Sequence, residues 1–334
     1  MQPSLLQRMS LQRLRLPDAA KPAWLREASA LVYPGPNDPA AWRAFVDASV
    51  RFAKRHLPAE VADALAGFYA PDGPDALLIE NLPVDPILPA PPSDGKRPAS
   101  KAAVSESVIA GLIEQHAAIV TYSNEKAGAP IHEITPVEGL EHQVSSTGRV
   151  PFACHTDAAF LAPRFSPRGL LLFGLLNEPN AHTAVLPLDR ILEAATPALV
   201  RSLEQPIFRH PSPSSFEVAA AVVGPIVWRD SRGIARIAVQ THAVQPAVGE
   251  AHGEEARGAI AQLRALLDTL ETERVVLRPG DALLFKNDRV LHGRDAFTGE
   301  RWLQRAYFTD SLAPFREHAG APEDAFVFDA ARLL

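Results

Sequence analysis

Hydrophobic positions follow a helical period in the N-terminal part of the chain. Asp38 followed by Pro39 is typical of a helix start, and apolar side chains then recur on one face. A second helix is predicted over residues 102–117. The inward faces comprise Trp42, Phe45, Val46, Ser49 and Phe52 in the first helix and Val108, Ile109, Leu112 and Ile113 in the second. Both helices are expected to pack against a larger core.

Beyond residue 117 the apolar residues form short runs bounded by glycine and proline, which is typical of buried strands. One amphipathic helix, residues 254–271, interrupts them. The predicted strand regions are 118–123, 169–176, 224–239 with a turn at 230–233, and 274–285 with a turn at 279–281. This order predicts a mainly β protein with flanking α-helices around a double-stranded β-helix (jelly-roll) core. We place a single domain over residues 21–334, after an N-terminal segment, residues 1–20.

Three loops interrupt the predicted domain. Residues 85–100 are rich in proline, but apolar segments resume on both sides, which favours a surface loop over a linker. Residues 85–100 and 242–254 contain proline or glycine and are candidate lids, and residues 205–222 or 242–254 are expected to be poorly ordered without a bound substrate. At the N-terminus, arginines interrupt the apolar residues of 1–17, so this stretch is not a secretory signal. A frayed or domain-packed end is expected there.

Composition excludes several classes of protein. The 33 basic and 39 acidic residues give a net charge of -6, which argues against a general nucleic-acid binder. A single cysteine in 334 residues excludes a disulfide scaffold and a thiolate zinc site. No apolar run reaches the ~18 residues of a membrane span. We therefore expect a cytoplasmic protein that acts on a small molecule, with an oligomeric state that the sequence leaves open.

The most informative tripeptide is His155-Thr156-Asp157. On a strand, His155 and Asp157 point to the same face, so an imidazole and a carboxylate meet at one point. Taken alone, the pattern is also compatible with a surface aspartate beside a structural histidine. His292 follows an apolar strand much later in the chain. Two histidines and one carboxylate form the facial triad that binds non-haem Fe(II) and leaves coordination positions open.

Two arginines follow His292 on one predicted strand. Arg301 and Arg305 are four residues apart and therefore face the same side. Buried guanidinium groups need anionic partners, and each can hold a carboxylate through two hydrogen bonds. The site is therefore expected to receive two carboxylates, one from a cosubstrate and one from a substrate. Thr183 offers a hydroxyl that can donate to the same carboxylate as one of the arginines.

Together these residues resemble the Fe(II)/2-oxoglutarate dioxygenases of the taurine dioxygenase and clavaminate synthase superfamily. The likeness is greatest to the branch that hydroxylates free amino acids, such as the asparagine oxygenases. It runs from about Glu125 to Phe308, and its most specific stretches are residues 128–160, 181–188 and 279–305. The resemblance implies a jelly-roll enzyme with Fe(II) as cofactor, 2-oxoglutarate as cosubstrate and O2 as oxidant, giving succinate and CO2.

The resemblance also implies a role for each matching residue. The iron ligands would be His155, Asp157 and His292, and the groups that hold the distal carboxylate of 2-oxoglutarate would be Thr183 and Arg301. The residues that contact substrate would be Arg305 at its carboxylate, Glu125 at its α-ammonium, and Gln143, Ser146 and Gln240 elsewhere.

Two departures from the family pattern affect these roles. The loop between His292 and Arg301 is shorter than is usual in this branch, so an exchange of roles between Arg301 and Arg305 stays open. The arginine hydroxylases carry acids on the strand before the lid, whereas this chain has Gln240 and no acid at position 238 or 240. We therefore expect a substrate with a neutral rather than a guanidinium side chain.

Alternative functions stay open at this level. A taurine dioxygenase-like enzyme would act on a sulfonate or another molecule that is not an amino acid, and Glu125 would then have no ammonium to bind. A non-catalytic jelly-roll protein would bind a metal or ligand without turnover. Desaturation or ring formation is as compatible with these residues as hydroxylation. Among the other histidines, His132 and His142 lie in the loop 128–146, which is expected to contact substrate. Cys154 is expected in the barrel wall.

Overall fold

The computed structural model describes residues 11–35, 38–247 and 249–334. Its helices are α1 (Lys21–Ser29), α2 (Pro39–His56), α3 (Ala59–Tyr69), α4 (Val104–Ile113), α5 (Leu188–Ala194), α6 (Pro197–Leu203), α7 (Glu250–Thr269) and α8 (Ala313–Ala319). Its strands are β1 (Gln12–Arg15), β2 (Ala76–Glu80), β3 (Ala118–Ile119), β4 (Thr121–Tyr122), β5 (His132–Ile134), β6 (Phe152–His155), β7 (Gly169–Asn177), β8 (His182–Pro187), β9 (Phe208–Pro211), β10 (Ala221–Gly224), β11 (Val227–Arg229), β12 (Ala235–Ile237), β13 (Gln245–Pro246), β14 (Glu273–Val276), β15 (Ala282–Lys286), β16 (Val290–Arg294), β17 (Arg301–Thr309) and β18 (Val327–Phe328).

Two sheets form the body of the molecule. The strand order of the large sheet is β1-β2-β15-β7-β17-β3, with β5 also paired to β17, and that of the small sheet is β14-β8-β16-β6. Apart from β1 beside β2, the neighbouring strands of both sheets run antiparallel. Such a pair of sheets is the core of a jelly roll, as the sequence predicted.

The long central strands are buried because they are covered on both faces. β17 is buried at every position and β7 at all but one. All ten residues of α4 are buried, and this helix packs against both β7 and α2. Continuous apolar runs are expected where a strand has neighbours on both sides. The main core therefore lies between the helices and the large sheet, and a second apolar cluster joins the small sheet to α5, α6 and α7.

The predicted helices are present, with shifted ends. α2 begins directly after Asp38, whose Oδ1 accepts a hydrogen bond from the amide of Ala41 at 2.9 Å. α4 is shorter than the predicted 102–117, because the chain turns at Glu114 and its Oε1 accepts from the amide of Ile119 at 2.8 Å. The helix predicted over 254–271 is present as α7.

The N-terminal part of the described chain joins the large sheet. β1 pairs in parallel with β2, and residues 1–10 of the predicted N-terminal segment lie outside the described residues. The proline-rich loop 85–100 contains no helix or strand, and its start is tied down by a 3.0 Å ion pair between Asp85 and Lys101. In the described ranges, no helix combines the length and the apolar character that crossing a membrane requires.

The first of the two segments expected to be poorly ordered, residues 205–222, includes β9, the turn that follows it and the start of β10. This turn contacts the body of the protein, since the amide of Glu217 donates to the carbonyl of Asn124 at 2.7 Å. The second, residues 242–254, supplies β13, which pairs with the other side of β9, and the start of α7. Residue 248 within it lies outside the described part of the chain.

Candidate metal centre and its two cavities

Strands β6 and β16 bring the two predicted histidine ligands side by side. The strands are neighbours in the small sheet, and His292 lies directly opposite His155. Gly293 permits the close approach, because a Cβ atom there would lie 2.7 Å from the carbonyl oxygen of Phe152. The imidazole ring centroids of the two histidines are 4.3 Å apart as a result.

Asp157 completes a compact group with the two histidines. Its Oδ1 lies 3.4 Å from Nε2 of His155, and its Oδ2 lies 3.9 Å from Nε2 of His292. All three residues are buried, and one potential ligand atom from each lies within 4.8 Å of the others. Two imidazoles and one carboxylate at this spacing provide the donor set of a facial Fe(II) site.

Hydrogen bonds to the backbone orient this group. Nδ1 of His155 donates to the carbonyl of Ala153 at 2.8 Å, which leaves Nε2 free to coordinate. Asn287 holds Asp157 in place, because its Oδ1 accepts from the amide of Asp157 and its Nδ2 donates to the Asp157 carbonyl, both at 2.9 Å. Burial lowers the pKa of His292 to about 3, so its ring is in the neutral form that binds metals.

Buried polar atoms without partners concentrate around the triad. Among the described residues, fourteen buried side-chain nitrogen or oxygen atoms have no hydrogen-bond partner, and half of them lie here. These are Nε2 of His155, Nδ1 of His292, Oγ1 of Thr183, Oε2 of Glu125, Oε1 of Gln240, and Nε of Arg301 and Arg305. Unpartnered buried polar atoms are rare in folded proteins. The residues present therefore fit a bound metal ion with polar ligands around it.

An inner cavity beside the triad contains two arginines without an acidic partner. Thr183, Arg294 and Arg301 line it together with His292. Burial lowers the pKa of Arg301 to about 9, with a further contribution from Arg294, and lowers that of Arg294 to about 10. No acidic residue of the described chain offsets either change. The inner cavity is therefore strongly cationic and suited to an anion.

An outer cavity of about 190 Å³ borders Asp157 and Arg305. Its other polar lining residues are Glu125, Ser145, Ser146, Ser212, Ser214, Ser215, Gln240, His242 and Tyr307. Three of the serines come from the turn between β9 and β10, within residues 205–222, so this turn forms part of the cavity wall. Hydroxyls and one amide dominate the surface that a ligand would meet here.

Arg305 lines both the inner and the outer cavity and is held by acids. Its Nη1 donates to Oδ2 of Asp157 at 2.9 Å, and its Nη2 donates to Oε1 of Glu125 at 2.6 Å. The same Nη2 donates to Nδ1 of His132 at 2.8 Å, and burial lowers the pKa of that histidine well below its usual value. Burial opposes the charge of Arg305, but the two carboxylates outweigh it and raise its pKa.

The cavities contain most of the residues that the sequence singled out. Every predicted site residue except Gln143 lines at least one of them, and Ser146, Asp157 and Arg305 line both. Gln143 and His142 are exposed on the loop and line neither cavity. Sequence reasoning missed Arg294, although its position two residues after His292 on a strand places both on one face.

The chain matches the family model "Taurine catabolism dioxygenase TauD, TfdA family" over residues 111–307. It is 31% identical to an L-asparagine oxygenase of Streptomyces coelicolor, over 89% of this chain and 88% of the relative. It is 26% identical to an enduracididine beta-hydroxylase of Streptomyces hygroscopicus, over 78% and 84% of the two chains. A crystal structure of asparagine oxygenase with Fe(II), 3-hydroxyasparagine and succinate superimposes with a TM-score of 0.81 and 26% identity, covering 95% of this chain and 99% of the other.

Proposed function

The chain belongs to the TauD/TfdA family of non-haem Fe(II)/2-oxoglutarate oxygenases, and we propose that it hydroxylates a free amino acid with a neutral side chain. The family match and the superposition confirm the predicted family, the jelly-roll fold and the use of Fe(II), 2-oxoglutarate and O2. The roles of individual residues and the class of substrate are our proposal, and each is supported by the contacts described above.

We assign the metal to His155, Asp157 and His292. Bound there, Fe(II) and 2-oxoglutarate would supply the oxidation by O2 that converts a C–H bond to C–OH, with one oxygen atom going to the substrate and the other to succinate as the cosubstrate loses CO2. The protein contributes placement. The carbonyl of Ala153 fixes the tautomer of His155, and Asn287 fixes the backbone of Asp157.

We assign the distal carboxylate of 2-oxoglutarate to Arg301 and Thr183 in the inner cavity. Oγ1 of Thr183 and Nε of Arg301 are both buried and without a partner. A carboxylate would satisfy both, through charge-assisted hydrogen bonds. The alternative in which Arg305 binds 2-oxoglutarate and Arg301 binds the substrate is disfavoured. Arg305 already has two carboxylates within hydrogen-bonding distance, whereas Arg301 has none among the described residues.

We assign the two charged groups of a free amino acid to Glu125 and Arg305. Oε2 of Glu125 is an unpartnered acceptor, as an ammonium group requires, and Nε of Arg305 is an unpartnered donor, as a carboxylate requires. These residues are joined by a 2.6 Å hydrogen bond, so they present opposite charges next to each other in the outer cavity. This juxtaposition is the observation that carries the proposal.

The remaining surface of the outer cavity favours a neutral substrate side chain. Its only carboxylates in the described residues are Glu125 and Asp157, and both are bound to Arg305. A guanidinium or ammonium side chain would therefore be buried without a counter-charge, which is strongly unfavourable. Burial also lowers the pKa of His242 and keeps it uncharged at pH 7. The serine hydroxyls and the amide of Gln240 can bind an amide or hydroxyl instead.

The relatives support an amino-acid substrate. L-asparagine oxygenase is 31% identical to this chain, and the solved asparagine oxygenase holds a hydroxylated asparagine together with succinate and Fe(II). Asparagine has a neutral amide side chain, in agreement with the polar, acid-poor outer cavity. We therefore place L-asparagine, L-glutamine and hydroxyl-bearing amino acids first among candidate substrates.

The test measures succinate formed from 2-oxoglutarate in air with Fe(II) and ascorbate, across the free amino acids and small sulfonates. We expect a burst with a neutral amino acid, absent in His155→Ala. Glu125→Gln should raise KM for that amino acid by about 10–100-fold, because an ion pair with the ammonium is lost. Turnover with a sulfonate only would replace the amino-acid proposal, and iron-loaded protein that forms no succinate with any compound would favour the non-catalytic alternative.

A further inference from the structure

The inner cavity holds a second guanidinium that the proposed function does not use. Arg294 lies on β16 two residues after His292, so the strand turns both side chains to the same face. It lies opposite Thr183 in the register between β16 and β8. Its side chain lines the inner cavity and is only 7% exposed, although a lysine or arginine at the end of a strand is normally solvated.

The neighbours of Arg294 hold its guanidinium without neutralising it. Its Nη2 donates to the carbonyl of Val150 at 2.7 Å, and its Nε donates to the carbonyl of Asp295 at 3.3 Å. Its guanidinium carbon lies 4.9 Å from the ring centroid of Phe297. The carboxylate of Asp295 is turned away and bound to Arg274. Carbonyl oxygens and an aromatic face orient a cation but leave its net charge in the cavity.

Arg301 is held beside it in the same way. Its guanidinium carbon lies 5.7 Å from the centroid of the Phe297 ring, so one aromatic side chain lies against both arginines. Two buried cations in one small cavity repel each other and have lost their hydration, a penalty of several kcal/mol for each ion. An anion with at least two acceptor atoms in the cavity would offset both penalties.

We propose that Arg294 is a second cosubstrate-binding arginine, which with Arg301 and Thr183 makes the inner cavity specific for a 2-oxo acid with a distal carboxylate. The inference rests on the proposed placement of 2-oxoglutarate and extends it. One distal carboxylate has two oxygens and four lone-pair directions, enough for two guanidinium groups and one hydroxyl. Phe297 is the positioning residue that keeps both guanidinium groups in place while the cavity is empty of anion.

The chain offers a matched control in Arg149. Its guanidinium carbon also lies against Phe297, at 5.6 Å from the ring centroid, and its Nη1 donates to the carbonyl of Gly299 at 2.5 Å. It does not line the inner cavity and is partly exposed. Arg149→Gln therefore removes a guanidinium from the same aromatic ring without removing a charge from the inner cavity.

The experiment titrates Mn(II)-loaded protein with two ligands by calorimetry, without an amino acid. The ligands are 2-oxoglutarate and 2-oxopentanoate, which has a methyl group in place of the distal carboxylate. We expect Arg294→Gln to raise the Kd of 2-oxoglutarate by at least about tenfold, as the loss of a charge-assisted hydrogen bond implies, and to leave that of 2-oxopentanoate within about twofold. Arg294→Lys should recover part of the affinity, and Arg149→Gln should leave both ligands within about twofold.

Two results would overturn the assignment of Arg294. One is an unchanged Kd for 2-oxoglutarate in Arg294→Gln. The other is an equal loss for both ligands, which would show that Arg294 only supports the backbone at Val150. Wild-type protein that binds 2-oxoglutarate no more tightly than 2-oxopentanoate would instead refute the underlying placement of the distal carboxylate, including the role of Arg301.

Discussion

Arg301 and Arg305 lie four residues apart on β17, and both are almost completely buried, at 4% and 5% exposure. Their surroundings are opposite. Arg305 donates to two carboxylates, and they raise its pKa. Arg301 has no acidic partner among the described residues, and burial, with a further contribution from Arg294, lowers its pKa to about 9. One strand therefore presents a neutralised cation, Arg305, to both cavities and an unneutralised cation, Arg301, to the inner cavity.

The difference between the surroundings of the two arginines indicates which kind of ligand each cavity can bind. The Glu125–Arg305 pair has one free acceptor and one free donor, so a zwitterion fits it without a large change in net charge. The inner cavity has an excess of positive charge that only an anion can balance. In the proposed assignment one arginine binds the substrate and the other binds the cosubstrate. Their surroundings differ because residues far apart in sequence supply acids to Arg305 and not to Arg301.

The largest effect is expected for the stability of Arg305→Gln. The substitution leaves Glu125 and Asp157 buried without their cation, so the free energy of unfolding of ligand-free protein should fall by about 3–5 kcal/mol. Arg301→Gln is the matched control, since it is the same change at equal burial on the same strand. Its unfolding free energy should be unchanged or higher, because a buried cation without an acid is removed. Urea unfolding measures both, and an equal loss in the two variants would contradict the comparison.

A second test concerns an acid on the other face of β17. Glu133 accepts hydrogen bonds from Trp302 and Gln304, and burial together with Glu106 raises its pKa to about 7. The folded protein then keeps a proton that the unfolded chain releases between pH 4.5 and 7, so stability falls as pH rises through this window. The contribution amounts to roughly 3 kcal/mol.

The measurement compares wild type with Glu133→Gln at pH 5 and pH 8 by urea unfolding. Other groups titrate equally in both proteins, so the difference between their unfolding free energies isolates Glu133. We expect the wild type to lose about 3 kcal/mol relative to the variant over this interval. If the unfolding free energies of wild type and variant differ by the same amount at both pH values, Glu133 is ionised over the whole interval. Its hydrogen-bond donors then outweigh the effect of burial on its pKa.

The third test is cosubstrate affinity in Arg301→Gln. Loss of charge-assisted hydrogen bonds worth about 1.5–3 kcal/mol should raise the Kd of 2-oxoglutarate by about 10–100-fold. The KM for the amino acid should change far less, because Arg301 does not line the outer cavity. Steady-state kinetics with each substrate varied in turn separates the two. A selective rise in the KM for the amino acid would instead support the alternative in which Arg301 binds the substrate and Arg305 binds 2-oxoglutarate.

The smallest effect is expected for Thr183→Val, which removes one neutral donor from the inner cavity. A hydrogen bond of about 0.5–1.5 kcal/mol corresponds to a rise of about 2–10-fold in the Kd of 2-oxoglutarate. Thr183→Ser keeps the hydroxyl and should stay close to wild type. If valine and serine give the same affinity, the hydroxyl does not contact the cosubstrate.

Local sequence was sufficient for the parts of this protein that depend on period and spacing. The face of α2, the buried strands, and the shared face of Arg301 and Arg305 follow from side chains that repeat every 3.6 or 2 residues. Asp157 departs from the predicted alternation, because β6 ends at His155 and Asp157 lies in the turn that follows, where Asn287 holds its backbone. The jelly-roll class followed from the order of these elements. Arg294 was accessible by the same alternation from His292.

The partners of each charged group were decided only by tertiary structure. Glu125 reaches Arg305 across 180 positions of sequence, and the serines over the outer cavity come from a turn that no local pattern assigns to it. Gln143 and Ser146 are three residues apart in one loop, yet one is exposed and the other lines both cavities. An irregular loop has no fixed period, so its path is determined by what it packs against. The sequence therefore determined which residues can carry charge or bind metal, and the packing of distant segments determined which charges are neutralised.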